Sequence, residues 1–275
     1  MKETTIRPFL PMLERFEGFF REELSSRLSK ETLESVMKKA IDDFRHVSAI
    51  IPDVPATSPW VKNIIGIAYE IGLWKELSSR GWSLTELSIV TQKALGKLTL
   101  SSVPPGKIPE IRDMLCSPDY VRRIASASRV SSEDDWLFDC VMPDENDTFD
   151  VGMDIIRCPV AKLCSVLGVK RFFPYLCVND YISHDILGVR LTRTQTLSHA
   201  APCCDFRLTQ KRKGRGNCYS PSGAVTGICQ QRIENRTIFS VKRGNRICPM
   251  VFMTMKAAFL FHALPSDTLR EYITD

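Results

Sequence analysis

The side chains able to attack, to take a proton or to hold an anion are concentrated between Cys158 and Arg207. They fall into four groups: Cys158-Pro159 with Cys164, Cys177-Val178-Asn179-Asp180, Arg193-Thr194-Gln195-Thr196-Leu197, and Cys204-Asp205-Phe206-Arg207. Cys177, close to Asp180, and Cys204 are candidate nucleophiles, because a thiol becomes a strong nucleophile once it loses its proton. Asp180 and Asp205 could orient or activate water as a general base. His184 lies one helical turn beyond Asp180 and shares its face, which makes it a further candidate base. Arg193 or Arg207 could grip a carboxylate through a bidentate pair, with Thr194 and Thr196 as hydrogen-bonding neighbours.

Each of these residues also has a structural reading. Free cysteines are among the most buried residue types, so Cys164 and Cys177 suit a packed core as well as a site. Asp205 and Arg207, two apart on a strand, share a face and could form a surface ion pair worth about 0–1 kcal/mol. His184 could be a partly exposed helix residue, and His199 a solvent-facing turn residue. Cys158, Cys177 and Cys204, with His184, could converge on one soft metal ion. Their spacing neither requires nor forbids it, and no CxxC or HxxxH signature is present. No metal or other cofactor is therefore expected.

The elements that must position these groups follow from hydrophobic periodicity. Phe9, Leu13, Phe16 and Phe20 recur at three- and four-residue steps and predict a helix, and a second carries Leu33, Val36, Met37, Ala40, Ile41 and Phe44. After a Pro-rich break at 51–59, Ile64, Ile67, Ala68, Ile71 and Leu73-Trp74 form an apolar stripe. Ser83 with Glu86 is a capping-box signal, 103–106 reads as a loop, and a short helix is predicted near 119–127. Residues 148–156 alternate as a strand. Pro159 then opens a helix stopped by Gly168, and a second helix spans 173–187 and stops at Gly188. Residues 189–197 alternate almost strictly and predict a strand, paired antiparallel with 203–208 through a turn at 198–202. The fold class is α+β: a helical N-terminal half, then strand–helix–helix–strand–strand with an antiparallel sheet. The regions are 1–132, helical; 133–210, α+β and catalytic in type; and 211–275, a basic C-terminal extension.

Composition is that of a globular protein, with 275 residues, 44% hydrophobic and 25% charged. No apolar run approaches the roughly 18 residues needed to cross a bilayer. The longest run, 250–264, is broken by Lys256 and His262, and residues 1–33 are too charged for a secretory signal. A cytoplasmic protein is expected, with its ten cysteines reduced. The net charge of +5 is uneven, since Arg207 to Arg246 holds ten Lys/Arg against Glu234 alone. The basic run 211–215 lacks aromatic interleaving, so it reads as a solvated loop rather than a nucleic-acid site. The partner expected is a small-molecule substrate, with neither membrane nor nucleic acid.

The four motifs in order, with Phe173-Pro174-Tyr175-Leu176 preceding Cys177, resemble the L-2-amino-thiazoline-4-carboxylic acid hydrolase family across roughly 150–208. The resemblance implies a hydrolase, in the class acting on carbon–nitrogen bonds of cyclic amidines. It would open a small sulfur/nitrogen heterocycle to N-carbamoyl-L-cysteine, or act on a similar molecule as a biosynthetic relative. Such chemistry needs an activated water or thiolate, a proton donor for the ring and a cation for the substrate carboxylate. This chain departs from the family in two ways: His199-Ala200-Ala201-Pro202-Cys203 stands where the family usually has a glycine turn, and a long segment follows Leu208. A non-catalytic sensor binding a small molecule or metal on the same scaffold is the alternative.

Overall fold

Apolar stripes on charge-rich segments fold into helices as the periodicity predicts. In the computed structural model, which describes residues 1–211, α1 (Glu3–Ile6) leads through a helical turn at Arg7–Phe9 into α2 (Leu10–Ser25) and α3 (Lys30–Ser48). α2 buries Leu13, Phe16, Phe20 and Leu24, and α3 buries Leu33, Val36, Met37, Ala40 and Phe44. The aromatic stripe is therefore core. α5 (Leu84–Ser102) begins at the capping box, with the Ser83 and Glu86 side chains each bonded to the other's backbone N–H.

α4 (Val61–Ser79) differs from a one-sided stripe. Between Val61 and Leu77 only Lys75 is not buried, the pattern of a helix enclosed on all sides. It packs against α3 and α5 and carries Lys62, Asn63, Glu70 and Glu76 into the interior. Glu76 is matched by Lys39 and Arg80, each at 2.8 Å. α6 (Ile108–Leu115) was not expected beside Pro104-Pro105-Gly106. Pro109 sits in its first turn, where a missing N–H is no loss. α7 (Pro118–Arg129) follows.

The sheet has four antiparallel strands in the order β1 (Leu137–Val141), β2 (Val151–Arg157), β4 (Cys204–Gln210), β3 (Val189–Thr192). This is the α+β fold that the pattern predicts. β1 went unread because it buries only Phe138, so it shows little alternation. Between β2 and β3 run α8 (Pro159–Val166), α9 (Phe173–Leu176) and α10 (Asn179–Ile186).

Two expected elements are corrected. The helix at 173–187 is two pieces, joined at Cys177-Val178 by tightened i→i+3 bonds, Val178 N–H to Tyr175 O and Tyr181 N–H to Val178 O, both 3.1 Å. The strand expected over 189–197 ends at Thr192, because the Asp205 side chain captures the next backbone N–H groups, Thr194 at 2.9 Å and Gln195 at 2.7 Å.

Val151, Met153 and Ile155 of β2, Cys204, Phe206 and Leu208 of β4, and Val189 and Leu191 of β3 are buried, and the apolar core runs without interruption from Ile6 to Leu208. Trp60, just before α4, ties the helices to the sheet, its ring 4.7 Å from Phe138 and 5.8 Å from Trp136. The seven described cysteines are all free thiols. Among the described residues no helix is long and apolar enough to cross a membrane. The basic segment beyond Lys211 and the apolar run 250–264 lie outside the described residues.

Candidate functional site

Alternation on β3 places the central side chain. Val189 and Leu191 are buried while Arg190 and Thr192 are exposed, so the next buried-face position, one residue past the strand, is Arg193. It is only 2% exposed, and among the described residues Nε, Nη1 and Nη2 have no hydrogen-bond partner. The rings of Tyr181 and Phe206 lie 5.5 and 5.8 Å from the guanidinium. Burial pulls its pKa down, opposed by the nearby Tyr181, Cys177, Cys204 and Asp180. A guanidinium carries five donors, and isolating its charge from both water and acceptors is penalised by several kcal/mol.

Around it stand residues from α9–α10 and β4. Cys177, fully buried at the junction of α9 and α10, has its thiol pushed well above the ordinary value by burial, with Arg193 pulling the other way. It is a neutral thiol at physiological pH. Asp180 is fully buried in the first turn of α10, and His184 is 3% exposed one turn on. His184 Nδ1 lies 2.8 Å from the Asp180 carbonyl, which can only accept, so Nδ1 carries a proton and, in the neutral ring, Nε2 is the acceptor nitrogen. The His184 ring stands edge-on to Phe206, 6.5 Å between centroids, and Phe206 also flanks Arg193. Cys204 is buried, and its Sγ accepts the Leu197 N–H at 3.2 Å. Cys158 lies near enough to push the Cys177 thiol slightly further up. Cys164 lies deeper, its thiol pushed up to about 12 mainly by burial. Among the described residues no three His, Cys, Asp or Glu side chains are grouped to hold a metal ion.

The remaining residues singled out in the sequence lie elsewhere. Arg207 is on the opposite face of β4 from Cys204 and Phe206, pairing with Asp154 at 2.7 Å over the Phe149 ring. The side chain lies flat because β2 has a glycine beneath it: a Cβ on Gly152 would come within 3.0 Å of Arg207 Cδ. The ion pair anticipated between Arg207 and Asp205 is thus replaced by one across the strands. Asp205 spends its carboxylate on the backbone N–H groups of Thr194 and Gln195 and on Thr194 Oγ1. Thr194 is exposed, while Thr196 is buried and bonds Ser198 Oγ at 2.8 Å and His199 Nδ1 at 2.9 Å. Cys177, Asp180, Thr194 and Arg207 therefore do not line one pocket; Cys177, Asp180, Cys204 and Arg193 gather instead. Arg207→Ala should leave substrate turnover unchanged within about twofold and lower stability by ~1 kcal/mol, the scale of a partly exposed pair. Steady-state kinetics beside thermal unfolding would check both, and a large loss of turnover would place the site on the other face of the sheet.

The turn before β4 keeps a left-handed residue without a glycine. Ala200 has φ 60° and ψ 22°, the only positive φ outside glycine among the described residues. Burial and the Arg193 charge hold the neighbouring His199 below its ordinary pKa.

One buried acid escaped the sequence reading. Glu70 of α4 is fully buried, and Asn179 Nδ2 lies 3.2 and 3.3 Å from its two carboxylate oxygens. The signal was present, since an acid set in the run Ile67-Ala68-Tyr69-Glu70-Ile71 on a core helix needs a partner or a proton.

The family model for L-2-amino-thiazoline-4-carboxylic acid hydrolase matches residues 108–208, the family that the motifs resemble. The match spans α6 to β4 and includes Cys177, Asp180, His184, Arg193 and Cys204, but not α1–α5. No curated protein and no solved structure matches the chain.

Proposed function

From the family match over residues 108–208, we propose that this chain is a hydrolase that opens a small carboxylate-bearing sulfur/nitrogen heterocycle, with 2-amino-thiazoline-4-carboxylate as the lead substrate. The observation that carries the reading is Arg193, a buried guanidinium whose nitrogens lack an acceptor among the described residues. A substrate carboxylate supplies both the acceptor and the counter-charge in a bidentate pair.

With the carboxylate on Arg193, the ring comes to lie among Cys177, Asp180, His184 and Cys204. His184 Nε2 takes a proton from water as its oxygen adds to C2 of the amidine, and Asp180 orients that water. The hydroxyl proton of the tetrahedral adduct passes to the ring nitrogen as the adduct collapses with rupture of the bond between C2 and the ring sulfur, and His184 returns its proton to sulfur. One water is consumed, and the product is N-carbamoyl-L-cysteine with a free thiol. The atom balance puts the broken ring bond at carbon–sulfur, although the group hydrated is the amidine carbon. Water is favoured over direct attack by Cys177, because burial holds that thiol well above its ordinary pKa.

The test is incubation of the purified chain with 2-amino-thiazoline-4-carboxylate, following thiol release and the product mass. Equimolar thiol and N-carbamoyl-L-cysteine are expected. Stabilisation by the compound without any product would overturn catalysis in favour of a small-molecule sensor.

A further inference from the structure

The chain Trp74–Thr91–Glu70–Asn179 reaches from the helical half to the start of α10. Trp74 Nε1 donates to Thr91 Oγ1 at 2.9 Å, Thr91 hydrogen-bonds Glu70, and Asn179 Nδ2 donates to both Glu70 oxygens. All four side chains have 0% exposure. Asn179 is the first residue of α10; Asp180 follows it, and His184 lies on the next turn. α10 in turn packs on β3, the strand that leads into Arg193. The hydrogen-bonded chain is thus a rigid link from α4 and α5 to the turn that faces the anion site.

We propose that Glu70 is a positioning residue for this site: as a neutral carboxylic acid it anchors Asn179, and so sets the first turn of α10 that presents Asp180 and His184 to Arg193. This role rests on the site read above as the reaction centre.

Several observations agree. Burial pushes the Glu70 carboxyl up to about 8, and hydrogen bonds from Asn179 and Thr91 only partly offset it. The groups meeting Glu70 from neighbouring elements are uncharged: Thr91 from α5, Asn179 from α10, and from α8 the Cys164 thiol, itself pushed up to about 12. Asn179 Oδ1 has no partner among the described residues, so the Asn179 side chain is held through its Nδ2 on Glu70. Ionisation places a net charge in the core with no cation beside it among the described residues.

The sign of the pH dependence follows from the raised pKa. Between the ordinary value of 4.5 and about 8 the folded chain holds a proton that the unfolded chain releases. Glu70 therefore stabilises fully below that window, and its contribution is lost as pH rises through it.

The test compares wild type with Glu70→Gln, which keeps a neutral side chain of the same shape, by amide hydrogen exchange corrected for intrinsic rate. In wild type the protection of residues 179–184 should fall at least about tenfold from pH 6.5 to 9, while Glu70→Gln should hold it constant. Asn179→Ala, which leaves Glu70 in place, should show the low protection at both pH values. The same pair read by kinetics should show an alkaline fall in kcat near pH 8 in wild type, absent in Glu70→Gln, with KM little changed. Flat protection in wild type, or an equal fall in Glu70→Gln, would overturn the proposal. If no chain turns the thiazoline over, the reaction assigned above fails, and the exchange result still decides whether Glu70 governs α10.

Discussion

Arg193→Met should melt at a higher temperature than wild type and lose its response to the substrate carboxylate. Methionine matches the length of the arginine stem and suits the Tyr181 and Phe206 rings that flank it. It also removes a charge whose three nitrogens have no acceptor in the described fold. Replacing buried ionic groups by apolar ones of similar volume is often stabilising by about 1–4 kcal/mol. In a chain of this size that is a rise on the order of 3–10 °C. The functional change has the opposite sign: loss of a desolvated charge-assisted pair should raise KM at least about 30-fold, from roughly 2–5 kcal/mol of lost binding. Thermal shift reads both effects. Wild type at ligand concentrations near 100 times Kd should gain about 2.7 kcal/mol, and the variant nothing. A variant that melts lower than wild type would mean that the protein itself supplies the counter-charge for Arg193, and the anion-site reading would fall.

Asp205→Ala should be among the most destabilising substitutions in the sheet while acting on chemistry only indirectly. The carboxylate accepts Thr194 N–H at 2.9 Å, Thr194 Oγ1 at 2.5 Å and Gln195 N–H at 2.7 Å, and so shapes the segment that leaves β3 directly after Arg193. Removing it leaves two partly buried N–H groups without their acceptor, a loss on the order of 2–4 kcal/mol. Arg193 would then lose its fixed approach, so KM should rise more than kcat falls. A general base would behave otherwise: kcat would collapse with stability unchanged. Urea unfolding beside steady-state kinetics separates the two, and the second pattern would restore Asp205 as a base.

Much of the architecture was legible because the helical stripes and the strands at β2 and β4 obey simple periods. Even Arg193 could be placed, since Val189 and Leu191 set a buried-face register that the arginine continues. What escaped has physical causes. β1 buries one residue in five and lacks a pattern, and Pro109 in the first turn of α6 looks like a breaker. The break at Cys177-Val178 is a local switch to i→i+3 bonding, which leaves the apolar period across 173–187 unmarked. Arg207 and Asp205 carry the residue types a site needs, and only strand parity separates their face from that of Cys204 and Phe206. Glu70 lies 109 residues from Asn179, a pairing that no local spacing could suggest.

The most direct measurement is a structure of the chain with bound 2-amino-thiazoline-4-carboxylate or its product. Carboxylate oxygens are expected about 2.7–3.2 Å from the Arg193 guanidinium nitrogens, with C2 turned toward His184 and Asp180. A carboxylate held by Arg207 on the other face of the sheet, or a ligand leaving Arg193 untouched, would contradict it.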